Sequence, residues 1–432
     1  MNQHTKLTKR AITAVLAGLL AAMLLLPTGP AMAATNDPFF PRLWGLQRVG
    51  AEPAWGASRG GGVMIAVIDS GVDLNHPDLR SKLVPGRDFI ANDSSPMDEN
   101  GHGTLVAGVA GAATNNGVGI ASVAPDVSIM PVRVFDANGQ ADPEMAAEAI
   151  QWSVDEAGRR GMKLVLNLSF VGDPDSGLLT QIFTPSVDRE IREAAQRGAA
   201  VVAAAGNEGR STTAYDTTTP GVLVVGATDT NDRRWSQSNY GAGLDLVAPG
   251  LDITSTYWNQ GQSGYGTAAG TSMSVPFVAG TFALLMSKGM SNSAAMTRIL
   301  ETAQDLGAPG RDNEYGAGLL DVAGALGVSR GGAPPPAENP PSTPPKQKQS
   351  PTPQTPASPN PPPPLVLPSP GEPPAITQEP AEPPKGATAT TANDVPGSGA
   401  DKSQPGGWST MGASLLVLLV GTGHVLRRTG SL

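Results

Sequence analysis

Four short apolar runs limit what this chain can become. Residues 63–69 (VMIAVID), 127–135 (VSIMPVRVF), 163–170 (KLVLNLSF) and 199–206 (AAVVAAAG) are close to continuous in Val, Ile, Leu and Ala. A strand with one wet face alternates. A strand apolar throughout is covered on both faces, which is the condition of a parallel sheet. Helical patterns lie between the runs, at 103–114 (GTLVAGVAGAAT), 143–158 (PEMAAEAIQWSVDEAG) and 186–198 (SVDREIREAAQRG). The expectation is a three-layer α/β domain over residues 34–327, with a parallel central sheet covered by helices on both faces. That is enough chain for a substantial core, and no internal repeat is visible.

The flanks read differently. Lys6, Lys9 and Arg10 precede an apolar run from Ala11 to Leu26, followed by Ala31-Met32-Ala33. This is the pattern of a secretory signal peptide, residues 1–33, cleaved after Ala33. Most of the 41 prolines fall in residues 328–407. That composition favours an extended polyproline II stalk, which at about 3.1 Å per residue reaches on the order of 200 Å. Residues 408–428 are mostly apolar, end in Arg427-Arg428 and leave a short tail, 429–432. Their length is close to the ~20 residues that cross a bilayer, and the arginines would stay on the cytoplasmic side. Upstream, VPGSG (395–399) resembles a Gram-positive cell-wall sorting signal, with Val395 and Ser398 in place of the usual Leu and Thr. Membrane anchoring and wall anchoring are both open, and either puts the domain on the extracellular face. The chain has no cysteine, which excludes disulfides and thiol chemistry. A net charge of −9 argues against a nucleic-acid partner.

Ligands of parallel sheets bind beyond the carboxyl ends of the strands. Asp69 ends the first run, His102 stands in NGHGT just before a helical pattern, and Ser272 stands in GTSMSVP at the start of another. Singly, these read as a turn-capping Asp, a structural His and an N-cap Ser. Of the four histidines, only His76 and His102 fall in the domain. Taken together the three residues supply a hydroxyl nucleophile, a base for its proton and an acid to orient the base.

VIDSGVDLNHPDL (67–79), NGHGTLVAG (100–108) and GTSMSVPFVAG (270–280) resemble the three active-site motifs of the subtilases, the subtilisin-like serine proteases. The order Asp, His, Ser agrees, and the likeness leans to the thermitase branch. It runs from NDPFFPRLWGLQRVGAEPAW to YGAGLLDVAGAL. The resemblance implies a serine endopeptidase acting on proteins or peptides, with Asp69, His102 and Ser272 as its triad. It also implies an oxyanion hole made by Asn207, in AAAGNEG, and the Ser272 backbone N–H. Substrate would add as a strand along Ser169, Phe170, Val171 and Gly172 and along the segment around Gly139, with Ala205 and Gly206 lining the pocket. Val171 stands where the family often has Gly, so weaker cleavage after bulky aromatic residues is expected. Ala141 and Pro143 also depart from the family, and Glu208 reads either as a lure for a basic P1 residue or as a solvated acid.

A structural Ca²⁺ site is implied, with side chains of Asp37, Asp78 and Asn116 and the carbonyls of Ala113, Val118 and Ile120. A weaker second site would use Asp88 and Asp93, although Ala91 and Met97 stand where oxygen ligands are expected. The peptidase domain is expected to be monomeric. The signal peptide runs almost directly into NDPFF, with no foldable pro-domain between them. Two other readings stay open: a narrow processing protease similar to the mycosins, and a catalytically silent surface-binding module. Broad cleavage of unfolded casein separates the first from a general protease. Activity lost on Ser272→Ala excludes the second.

Overall fold

Strand β1 (Val63–Asp69) is the axis of the molecule: all seven residues are buried. It pairs in parallel with β3 (Ser128–Arg133) on one side and β4 (Lys163–Leu168) on the other, Met64 facing Ser128 and Leu164. The computed structural model describes residues 35–170, 184–211 and 221–330. The signal peptide, the pentapeptide 395–399, the anchor 408–428, the tail 429–432 and all but the first three residues of the stalk lie outside them.

The sheet has seven parallel strands in the order β2–β3–β1–β4–β5–β6–β7. The additional strands are β2 (Arg87–Asp88), β5 (Ala200–Ala204), β6 (Val222–Thr228) and β7 (Leu246–Pro249). From β3 the chain crosses over β1 to begin β4, so the direction of winding reverses beside β1. A crevice opens at the carboxyl ends of the strands at such a point. A two-stranded antiparallel hairpin, β8 (Ile253–Asn259) and β9 (Gln262–Ala268), stands apart from the sheet.

Two short helices, α1 (Trp44–Arg48) and α2 (Ala51–Ala54), precede β1. The two faces of the sheet bury separate cores. Val63, Ile65 and Val67 of β1 join the cluster that holds α3 (His102–Gly111) and α6 (Thr271–Ser287). Met64, Ala66 and Ile68 face the opposite cluster, with α4 (Pro143–Arg160) and α5 (Pro185–Gln196). Successive strand residues point to opposite faces, so a strand between two apolar layers must be apolar at every position. Helices α7 (Asn292–Thr302) and α8 (Val322–Ala325) close the α6 side. Among the described residues no helix is long and apolar enough to cross a membrane.

Candidate active site

Asp69 is the last residue of β1 and only 1 % exposed. Its Oδ1 accepts two hydrogen bonds, from Ser70 N at 2.7 Å and from His102 Nδ1 at 2.8 Å. Its Oδ2 is buried without a hydrogen-bond partner. His102 opens α3, and the glycine after it lets the helix reach the strand: a Cβ on Gly103 would fall 2.0 Å from Gly71 O and 3.1 Å from Cβ of Asp69. Burial alone would push the imidazole down. The charge and hydrogen bond of Asp69, with Asp98 adding to them, outweigh burial and raise it above its ordinary value. With Nδ1–H committed to Asp69, Nε2 is the basic nitrogen. Nε2 hydrogen-bonds to none of the described residues.

Ser272 is the second residue of α6, and its helix begins at Gly270 with no side-chain cap. Pro276 sits four residues further on and has no N–H to give to the Ser272 carbonyl. That carbonyl is taken instead by Ser169 Oγ at 2.9 Å, and Ser169 Oγ in turn accepts from Asn167 Nδ2 at 2.8 Å. The first turn of α6 is thereby tied to the end of β4. A Cβ on Gly270 would lie 2.9 Å from Ser272 Oγ and 3.7 Å from Asn207 Nδ2. Both groups therefore border one small space, which the missing side chain leaves open. Asn207 Oδ1 accepts from Thr271 N at 2.8 Å and Thr271 Oγ1 at 3.0 Å. This fixes the amide and leaves Nδ2 as its free end.

The residues expected to meet substrate divide. Ala205 and Gly206 are buried where the chain leaves β5. Gly206 has φ 113°, and a Cβ there would come within 2.2 Å of Asn239 Nδ2. Asn239 organises this loop: its Nδ2 donates to Ala205 O at 3.2 Å and Glu208 Oε2 at 2.6 Å, and its Oδ1 accepts from Arg210 N at 2.8 Å. Glu208 is therefore exposed but held, not a freely solvated acid. Ser169 braces Ser272, and Phe170 packs edge-on to Phe135 at 5.2 Å. Gly139 lies in a turn whose Asp136 carboxylate accepts from Asn138 N and Gln140 N at 2.9 Å each, not in a strand. Val171 and Gly172 lie outside the described residues.

At the expected Ca²⁺ site, Asp37 and Asp78 are 2 % and 0 % exposed. Asn116 joins them, its N–H to Asp37 Oδ1 at 3.0 Å and its Nδ2 to Asp78 Oδ1 at 2.8 Å. Ile120 N and Tyr265 Oη each donate to Asp78 Oδ2 at 3.0 Å. Burial and then the Asp78 carboxylate drive the Tyr265 hydroxyl well above its usual value. No described Lys or Arg pairs with either carboxyl, and the two meet at Asn116, an oxygen-rich, buried arrangement whose donor chemistry suits a divalent ion. One detail departs from expectation: the Asn116 oxygen accepts from Val118 N at 2.8 Å instead of facing the carboxylates. A half-turn of the amide exchanges its two ends. The weaker site fares worse. Asp88 Oδ2 is ion-paired with buried Arg133 at 2.9 Å, and its Oδ1 accepts from Ile90 N and Ala91 N at 2.8 Å each. Asp93 Oδ1 accepts from Ser95 N at 2.7 Å. A guanidinium already balances the charge a second cation would need. No group of three or more His, Cys, Asp or Glu forms a metal cluster among the described residues.

The subtilase family profile matches residues 60–318. Thermitase of Thermoactinomyces vulgaris is 40 % identical over 289 residues, covering 65 % of this chain and 98 % of thermitase. A thermophilic serine proteinase of Bacillus sp. (strain AK1) is 41 % identical over 283 residues, covering 65 % of this chain and 67 % of that protein. Among solved structures, a protease from Pseudoalteromonas arctica PAMC 21717 superposes with a TM-score of 0.59 at 28 % identity, over 68 % of this chain and 98 % of its own.

Proposed function

The chain belongs to the subtilase family and is a serine endopeptidase, and on that premise we propose that it cuts peptide bonds with Asp69, His102, Ser272 and Asn207. His102 Nε2 takes the Ser272 hydroxyl proton as Oγ attacks the scissile carbonyl. Asp69 holds the tautomer and stabilises the imidazolium. The oxyanion meets Asn207 Nδ2 and the Ser272 backbone N–H at the α6 terminus, where the helix dipole adds to the donors. Collapse expels the amine, protonated by His102, and leaves an acyl-enzyme that water opens by the same proton route. The observation that carries this reading is the open space at Gly270, bordered by both Ser272 Oγ and Asn207 Nδ2. One oxyanion-hole donor is typically worth about 10²–10³ in rate.

Asp37, Asp78, Asn116 and the carbonyls of Ala113, Val118 and Ile120 would hold one Ca²⁺, which when bound neutralises the two buried acids. The sequence outside the described residues supports export by a signal peptide and attachment through the C-terminus, to membrane or wall, with a monomeric domain on a Pro-rich stalk. The test is covalent labelling of the full chain in Ca²⁺ with a fluorophosphonate, followed by peptide mass spectrometry. Label on Ser272 that disappears in His102→Ala is the expected result. A folded, Ca²⁺-loaded protein that takes no label at Ser272 overturns the assignment.

A further inference from the structure

One buried carboxylate beside the site has no part in the steps above. Asp98 is 0 % exposed and lies four residues before His102. Its Oδ1 accepts from Ser70 Oγ at 2.9 Å, Asn100 N at 3.0 Å and Gly101 N at 2.8 Å. Its Oδ2 accepts from Thr104 N at 3.0 Å and Thr104 Oγ1 at 2.5 Å. Five donors converge on one side chain, and a proton on either oxygen would displace one of them. Burial outweighs the Thr104, Gly101 and Asn100 donors and leaves the Asp98 carboxyl above its usual value, so the five converging donors are what favour its charged form. Among the described residues no ion pair compensates it, and Arg133 of β3 is engaged by Asp88 and Glu99.

These donors bracket the catalytic pair. Gly101 precedes His102 and Thr104 follows it. Ser70 gives its hydroxyl to Asp98, its N–H to Asp69 Oδ1 at 2.7 Å, and accepts from Gly103 N at 3.0 Å. The titratable groups whose charge Asp98 meets are His102 from α3 and Tyr257 from β8, whose ring rests against Gly101, while Asp69 of β1 is linked to it through Ser70. We propose that Asp98 is a positioning residue for proteolysis, a second buried carboxylate that fixes segment 98–104 around His102 and favours the imidazolium formed when Ser272 gives up its proton. This rests on the triad assignment. Asp69 holds the imidazole by direct contact. Asp98 acts through Ser70 and the α3 terminus and through its charge.

The test is Asp98→Asn, which keeps the shape, removes the charge and gives up one of the two accepting oxygens. The pH dependence of kcat/KM on a chromogenic peptide and the NMR titration of the His102 Nδ1 proton are measured together in the full chain. Both midpoints are expected to fall by about half a unit or more, with kcat down about tenfold and KM within about twofold. Ser70→Ala removes one donor but neither charge, and is expected to leave the midpoint in place. Midpoints unmoved in Asp98→Asn, whatever the loss of activity, would reduce Asp98 to a structural brace. Should that variant not fold, the carboxyl carbon of Asp98 is titrated in the wild-type protein. An anion at pH 7 supports the proposal and a neutral acid overturns it. Fluorophosphonate labelling of Ser272 in the same wild-type sample separates failure of this idea from failure of the triad.

Discussion

Helices α3 and α6 cover one face of the sheet, α4 and α5 the other, and the two pairs follow opposite rules. Nine of ten residues of α3 and 16 of 17 of α6 are buried, against eight of 18 in α4 and four of 12 in α5. The outer pair is amphipathic and capped by its own sequence, Asp142 accepting from Glu144 N and Thr184 from Val187 N. The inner pair starts at bare glycines, Gly101 and Gly270, with no side-chain cap. Its first N–H groups go to Asp98, Ser70 and Asn207. Helices that only cover the sheet satisfy their own ends. Helices that present His102 and Ser272 leave their ends to residues outside them, Ser70 and Asn207 remote in sequence and Asp98 close by, so the site depends in part on tertiary contacts.

That contrast can be broken in graded ways. Ser272→Ala should lower kcat by on the order of 10⁴–10⁶ while circular dichroism and the urea midpoint stay close to wild type. Phe282→Ala, in the fully buried turns of α6, should cost about 3–5 kcal/mol of unfolding free energy. Glu193→Ala on exposed α5 should stay within about 0.5 kcal/mol. Equal costs in urea melts would mean the two pairs are not different after all. Asp142→Ala should remove about 0.5–2 kcal/mol with kcat unchanged, because α4 does not reach the chemistry. A fall in kcat there would show the outer helix coupled to the site.

The smallest effect is one of pH. The His102 imidazole is raised, and hydrolysis requires it neutral, so the acid limb of kcat/KM should have its midpoint above pH 6.5. The same ion pair stabilises the fold with the opposite sense. Its contribution is complete below about pH 6.5, the unfolded value, and is lost as pH rises through the folded one. In Ser272→Ala, the Tm difference from Ser272→Ala/His102→Ala should shrink over the window where wild-type activity climbs. A difference flat in pH would show that Asp69 and His102 gain nothing from pairing.

The sheet and the inner residues were legible because their signals are local. Residues 63–69 form β1 as read, and the runs at 127–135, 163–170 and 199–206 are each trimmed by two or three residues in all at their ends. The helix expected at 103–114 begins one residue earlier, at His102, and stops at Gly111. What could not be read depends on remote partners. Nothing around Asp88 announces Arg133, 45 positions away, which takes the carboxylate a second Ca²⁺ would want. Asn239 carries no motif, yet it shapes the Gly206–Glu208 loop from 31 to 34 positions downstream. The β8–β9 hairpin, glycine-rich and partly exposed, lacks the apolar density that marked the sheet.

The groups proposed to act together come from four separate parts of the chain, and Asp69 and Ser272 stand roughly two hundred residues apart. Each is aimed by something that exists only after docking: Ser169 against the Ser272 carbonyl, Thr271 against Asn207, Ser70 against Gly103. Parallel sheets close such long loops late in folding. A chain that has not yet seated α6 therefore carries Asp69, His102, Asn207 and Ser272 without the space at Gly270 that the proposed mechanism needs. Proteolytic activity is therefore expected to appear only once α6 has docked, when the domain itself has also become harder to digest.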